Sequence, residues 1–215
     1  MKLYSEEEEI INYTSHLTSL IILAILVVPI IIKALILNDM PKFVSFLGYF
    51  VAVGLMFLSS TLYHISKNEK IRENLRLLDH CSIYLCIAGT YTPILIMGLK
   101  DSFSRLIFVI VWILAIVGIL LYVILHKMGK HSLESKISIF IYLGMGWISV
   151  FLIKNIIQTI GIDFLIWILL GGIFYTVGVY FYKNNKINFN HAIWHFLIIA
   201  GTFSMLHGIL EYFNV

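Results

Sequence analysis

The sequence predicts an all-α fold, a polytopic membrane protein built as a bundle of seven transmembrane helices. Composition is the first reason: 60% of the 215 residues are hydrophobic and 13% are charged, whereas soluble domains are about 25% charged. The second reason is that the apolar residues form seven runs near the ~20 residues that one spanning helix needs. The runs are continuous rather than alternating, which excludes barrel strands. This composition also excludes a soluble enzyme, a disordered protein and a nucleic-acid-binding protein.

Polar or charged breaks at 38–42, 66–76, 100–104, 126–136, 154–159 and 183–190 bound each of the seven runs in turn. The predicted spans are 15–37, 43–65, 77–99, 105–125, 137–153, 160–182 and 191–213. Because seven spans occupy about 140 positions, we expect one membrane domain over 1–215, with 1–14 as a short acidic N-terminal segment. This segment holds four glutamates instead of a basic region, so it does not resemble a signal peptide.

The distribution of lysine and arginine over the breaks predicts the orientation. Ten of these residues fall on the side of the N-terminus and five on the opposite side. Cytoplasmic loops carry the excess of positive charge. We therefore expect a multi-pass protein of the cell (inner or plasma) membrane, with a cytoplasmic N-terminus and a C-terminus outside.

Few ionisable groups lie within the predicted spans, and such groups are functional candidates because burying them in a membrane is costly. Asp79 lies near the cytoplasmic end of the third span, and His64 ends the second. Ser60 precedes His64 by four residues, so both lie on one helix face. An alternative for Asp79 is a carboxylate at the headgroup level, paired with Arg72 or Arg76.

His191 and His195 open the seventh span, and their i, i+4 spacing lets two imidazoles reach one metal ion. In the predicted topology they lie at the same depth as His64. Three histidines with an open position are typical of a catalytic zinc site. Asp79 would then act as a base on water at the zinc, and Ser60 would hydrogen bond to that water or to a substrate oxygen. The alternative is that each pair consists of interfacial residues at helix ends.

The remaining histidines are weaker candidates. His126 and His131 are expected to be solvated in a cytoplasmic loop. His80 follows Asp79 but points about 100° away on a helix, and His207 lies near the outer end of the last span. His16 is either a further hydrogen-bonding member of the site or a residue of the helix start.

Three motifs together resemble the hemolysin III family, the bacterial branch of the progestin and adipoQ receptor (PAQR) group, which is remotely similar to alkaline ceramidases. They are E-x-x-N-x-x-x-H at Glu9, Asn12 and His16, S-x-x-x-H followed by an aspartate at Ser60, His64 and Asp79, and H-x-x-x-H at His191 and His195. The resemblance implies a seven-helix bundle with a cytoplasmic N-terminus. It also implies zinc bound by His64, His191 and His195, with Asp79 and Ser60 acting on water at the zinc.

Three functions remain open at this stage. The first is a zinc-dependent hydrolase that cleaves an amide bond of a membrane lipid, related to membrane-lipid homeostasis. The second is a pore-forming or cytolytic protein, as the family name suggests. The third is a sensor of lipid state in which zinc is structural. In each case the expected partners are the lipid bilayer and a membrane lipid, with no nucleic acid, while the substrate and the oligomeric state are left open.

Overall fold

The computed structural model describes residues 4–213, and this part of the chain contains helices and turns but no strand. The helices are α1 (Glu6–Ile36), α2 (Met40–Ile65), α3 (Glu69–Pro93), α4 (Ser102–Lys127), α5 (His131–Trp147), α6 (Ile153–Thr159), α7 (Ile162–Lys183) and α8 (Asn190–Tyr212). A 3₁₀ turn, Ile148–Leu152, joins α5 and α6 into one span. Within residues 4–213, seven segments are therefore long and apolar enough to cross a membrane, which confirms the predicted all-α, seven-helix fold class.

Several helices begin earlier than their hydropathy predicts, because capping residues lie outside the apolar runs. Helix α1 begins at Glu6 rather than near position 15. The Ser5 side chain accepts a hydrogen bond from the Glu8 amide, and four glutamates occupy the first turn. Both features stabilise a helix N-terminus. Part of the acidic segment is thus helical and brings its side chains to the bundle.

Helix α3 also begins outside its apolar run, at Glu69, where the Asn68 side chain accepts a hydrogen bond from the Ile71 amide. This start places two turns of charged helix ahead of the predicted span. At its other end α3 reaches Pro93 and continues as a π-helical turn, Ile94–Gly98. Proline lacks the amide hydrogen that the regular ladder would use, so the helix geometry changes there.

The spans form a closed ring, since each packs against the next in chain order and α8 returns to α1. Helix α3 is the most buried span and also contacts α5. Gly118 of α4 permits a close approach to α3, because a Cβ atom there would lie 2.2 Å from the Tyr84 ring. Tyr84 is fully buried in the apolar core as a result.

The outward faces of the spans carry large apolar side chains. Phe140 is 78% exposed, Ile25 66% and Leu120 56%. A soluble monomer rarely exposes contiguous apolar surface on this scale. These faces are suited to lipid tails, in agreement with a multi-pass membrane protein.

Helix connectivity puts the turn between α4 and α5 at the same end of the bundle as the N-terminus, while α6 lies at the other end. From the charge distribution we expect a cysteine at Lys154 to react with an impermeant maleimide in intact cells. A cysteine at Lys130 should react only after permeabilisation. Both lysines are exposed, and the native Cys81 and Cys86 are buried. The opposite labelling pattern would show that the predicted orientation is wrong.

Candidate metal centre

Three imidazoles meet at the end of the bundle where α2 finishes and α8 begins. His64 lies in the last turn of α2, and His191 and His195 lie in the first two turns of α8. The Nε2 atom of His191 is 3.2 Å from Nε2 of His64 and 3.1 Å from Nε2 of His195. All three residues are buried, with at most 4% of their surface exposed.

The donor set fits a transition-metal ion. Ligand nitrogens about 2.0–2.1 Å from a tetrahedral metal are separated from one another by about 3.3 Å. The observed nitrogen–nitrogen distances of 3.1 and 3.2 Å agree with such a site. The structure thus brings together the three histidines that the sequence singled out as metal ligands, and three protein ligands leave a fourth position for water or substrate.

Glu9 holds His64 from the side opposite the other two histidines. Its Oε2 atom lies 2.6 Å from His64 Nδ1, and its Oε1 atom forms an ion pair with the Arg72 guanidinium. This arrangement favours the tautomer in which Nδ1–H donates to the carboxylate, so that Nε2 presents a lone pair to the site. Carboxylates in this position orient metal-binding histidines and raise their basicity.

Tyr4 holds His191 in a similar way. Its hydroxyl oxygen is 3.0 Å from His191 Nδ1, and the two rings stack with centroids 4.5 Å apart. Burial raises the pKa of Tyr4, which keeps the hydroxyl neutral. The Glu8 carboxylate accepts a hydrogen bond from the backbone amide of His191. Tyr4 therefore positions the imidazole of His191, and Glu8 positions its backbone.

His195 is supported by the other two residues of the first motif. Its ring stacks on His16 with centroids 3.9 Å apart, and its Nδ1 atom is buried near Asn12. The Asn12 amide group and both His16 ring nitrogens are buried, with no hydrogen-bond partner within residues 4–213. Each of the three imidazoles thus has its own support from the N-terminal part of the chain.

Asp79 and Ser60 lie beside each other but do not join the three histidines as ligands. Asp79 is 3% exposed, and Ser60 is 1% exposed and within interaction range of its carboxylate. Within residues 4–213 neither nearby arginine forms an ion pair with Asp79, because Arg72 pairs with Glu9 and Arg76 lies 3.8 Å from Glu134. The structure therefore does not support the alternative of an arginine-paired headgroup carboxylate.

A long apolar cavity begins at Asp79. Along α3 its wall runs through Ile83 and Ile87 to Ile94, which corresponds to about 22 Å of helix. Helices α5, α7 and α8 complete the wall, mainly with aliphatic and aromatic side chains. His16, whose ring stacks on His195, also lines this cavity. The cavity therefore connects the membrane interior with the surroundings of the histidines.

A second, more polar cavity opens beside His191. Its lining includes Tyr4, Arg76, Lys183 and Asn185. Tyr4, Lys183 and Asn185 lie at or just beyond helix ends, where water and lipid headgroups are found. The two cavities adjoin each other near the site, since His80, Ser135 and Tyr182 line both.

The sequence did not identify Tyr4, Glu8 and Arg72 as parts of this region. Glu9 was only an accessory candidate, and Arg72 was considered as a partner of Asp79. The missing information was the helical start of α1, which carries Glu8 and Glu9 into the bundle and brings Glu9 to Arg72 of α3. The serine cap at position 5 with acidic residues behind it was the available indication.

We expect replacement of His191 by alanine to remove one equivalent of bound divalent metal from the purified protein. The change deletes a ligand while leaving the α8 backbone intact. Metal content would be measured by mass spectrometry on protein purified in detergent without a polyhistidine tag. His207→Ala, near the other end of α8 and with its side chain 57% exposed, is the control and should retain the metal. Equal metal content in both variants would contradict this site.

We expect Tyr4→Phe to weaken metal binding by about 10–100-fold, the usual effect of losing a residue that orients a ligand. The variant keeps the stacked ring and removes only the hydroxyl that contacts His191. Competition with a chromophoric chelator would give the dissociation constant. Tyr13→Phe, a half-buried tyrosine of α1, is the matched control. An unchanged constant in Tyr4→Phe would show that the hydroxyl does not support the site.

Comparison with known proteins identifies the family. A family model described as "Haemolysin-III related" matches residues 4–206. "Hemolysin-3 homolog" of Bacillus subtilis (strain 168) is 36% identical over 211 residues, 98% of this chain and 96% of that protein. "Hemolysin-3" of Bacillus cereus is 34% identical over 206 residues, 96% and 92% of the two chains. The human "Monocyte to macrophage differentiation factor" is 28% identical over 201 residues, 88% and 80% of the two chains. The chain therefore belongs to the hemolysin III family, the bacterial branch of the PAQR group that its three motifs predict.

Proposed function

We propose that this protein is a zinc-dependent hydrolase that cleaves an amide bond of a membrane lipid, with its site near the cytoplasmic face. One observation carries the proposal: three buried imidazole nitrogens converge beside a long apolar cavity that Asp79 and His16 help to line. Three histidines with an open fourth position are typical of catalytic zinc. A site that binds a structural ion would have no need of an adjoining cavity of this length.

The cavity suggests the class of substrate. About 22 Å of α3 lines it, which is most of the ~30 Å thickness of the hydrocarbon core. Its aliphatic and aromatic wall would bind an acyl chain between α3, α5, α7 and α8. The carbonyl group at the head of that chain would then lie near Asp79 and the three histidines. The polar cavity beside His191 would receive the remaining headgroup and supply water.

The side chains around the site provide the proton transfers of hydrolysis. A bound zinc supplies Lewis acidity, which polarises a carbonyl group and makes water a stronger acid. Asp79 would accept a proton from the attacking water and deliver it to the nitrogen that leaves. One carbon–oxygen bond forms, the carbon–nitrogen bond breaks, and the products are a carboxylic acid and an amine. Ser60, beside Asp79, would orient its carboxylate or donate a hydrogen bond to the substrate.

We expect the zinc-loaded protein in nanodiscs to release fatty acid from at least one member of a panel of N-acylated lipids. Asp79→Asn should lower kcat by about 10²–10⁴-fold, the usual contribution of a general acid–base, while metal content stays unchanged. Released acid would be measured by mass spectrometry. Asp163→Asn, at an exposed position in the first turn of α7, is the control and should behave as the wild type.

The metal measurement separates the outcomes of this experiment. Loss of both turnover and metal in Asp79→Asn would make Asp79 a residue of folding rather than of catalysis. Zinc-loaded protein that hydrolyses no lipid in the panel would contradict the hydrolase proposal. It would favour the alternative in which a structural metal serves a sensor of lipid state.

A pore-forming activity is the second candidate. The two Bacillus relatives favour it, because both are named hemolysins. The cavity argues against a water-filled pore, because its wall is mainly aliphatic and aromatic and, among the described residues, no row of charged side chains lines it. Dye release from vesicles that contain the same purified protein tests this activity. Release that persists in His191→Ala would favour a pore over the hydrolase.

A further inference from the structure

We propose that His126, His131 and Glu134 form a second binding site for a divalent transition metal. The site lies between the end of α4 and the beginning of α5 and shares no ligand with the three-histidine centre. One ligand atom from each of its three residues lies within 4.8 Å of the other two. It is independent of the proposed hydrolase function.

A short turn creates the cluster. His126 lies in the last turn of α4, and His131 and Glu134 lie in the first turn of α5. Gly129 between them has a φ of +69°, a left-handed conformation that glycine adopts without strain. The turn reverses the chain so tightly that the ring centroids of His126 and His131 are 5.3 Å apart.

The distances agree with metal coordination. His126 Nδ1 is 3.3 Å and His131 Nδ1 is 3.1 Å from the same oxygen, Oε2 of Glu134. Ligand atoms on a tetrahedral zinc are separated by about 3.3 Å, so one ion could bind all three atoms. In an ion-free state the same distances allow both Nδ1–H groups to donate hydrogen bonds to the carboxylate.

The surroundings of the cluster hold the ligands in position. Glu134 is only 3% exposed. Its other oxygen, Oε1, lies 3.8 Å from the Arg76 guanidinium, which leaves Oε2 directed at the histidines. The far nitrogen of His126, Nε2, is 3.9 Å from the Glu73 carboxylate. At that distance Glu73 makes an electrostatic contact with His126 rather than a hydrogen bond.

Chemistry and access define the ion. Two imidazoles and one carboxylate favour Zn²⁺, Co²⁺ or Ni²⁺ over Ca²⁺ and Mg²⁺, which prefer six or more oxygen ligands or several waters. The side chain of His131 is 56% exposed, so an ion can reach the site from the aqueous phase. The sequence placed both histidines in a solvated loop, but the His126 side chain is only 11% exposed.

Binding there would connect the second site to the large cavity. An ion held by His126 and His131 would fix the start of α5 against the end of α4. Helix α5 contributes Ser135, Ile139 and Tyr142 to the cavity wall. Occupancy of the second site would therefore restrict the movement of one side of the cavity.

Zinc stoichiometry tests the proposal. Protein purified without a polyhistidine tag would be stripped with a chelator and equilibrated with zinc at buffered free concentrations. We expect two equivalents in the wild type, one in His131→Ala and one in His191→Ala. His131→Ala should weaken binding at the second site by at least about tenfold, since it removes a direct ligand. His207→Ala, which loses a half-exposed histidine that contacts Glu211 and Trp167 away from both clusters, should keep both equivalents.

Cobalt provides an independent readout through its absorption spectrum, which reports tetrahedral coordination. We expect the His131→Ala spectrum to equal the wild-type spectrum minus one component, with that component retained in His191→Ala. Binding by His131→Ala with wild-type stoichiometry and affinity would overturn the second site. If only the three-histidine centre fails to bind metal, the second site still stands. The His131→Ala variant should fold, because the His131 side chain is exposed and its replacement removes no buried packing. The two proposals therefore fail separately.

Discussion

The carboxylate of Glu9 is the group on which the site depends most. It contacts His64 at the end of α2 and Arg72 near the start of α3, so one side chain of α1 joins three helices. The pair of Glu9 and Arg72 is part-buried, so removing either partner would leave an incompletely compensated charge among the helix ends. Glu9 thus stabilises the bundle at the depth where it also orients a ligand. The same contact explains why α1 must begin before its apolar run.

A membrane imposes the remaining arrangement. Charged and polar groups are costly in hydrocarbon, so they gather where several helices end and can satisfy one another. Tyr4, Glu8 and Asn12 all come from the N-terminal part of the chain and supply contacts that α2 and α8 lack. The apolar cavity extends from this polar region into the span of the bilayer. Hydrolysis of a lipid requires an apolar cavity for its chain and a polar region for water at the same point.

The sequence predicted the seven spans from the lengths of the apolar runs, and it predicted the pairing of His191 with His195 from their i, i+4 spacing. The order of the spans then predicted that His64 lies at the same depth. The sequence did not predict the contacts of Tyr4, Arg72 and Glu134. Those depend on where a capped helix begins and on how helices meet in the ring, which one-dimensional hydropathy does not contain. Hydropathy places the membrane-embedded part of a helix, whereas capping residues such as Ser5 decide its ends.

The two histidine clusters differ in a way that follows from their positions. At the three-histidine centre the imidazoles come from α2 and α8, which are distant in sequence. Each imidazole contacts a residue of α1 or Tyr4, which precedes α1. The second cluster is local to the turn between α4 and α5, with one exposed histidine. A centre assembled across the ring requires the folded bundle, so its geometry is fixed before a ligand arrives. A local cluster can respond to an ion by tightening a single turn. That turn leads into α5, which lines one wall of the cavity.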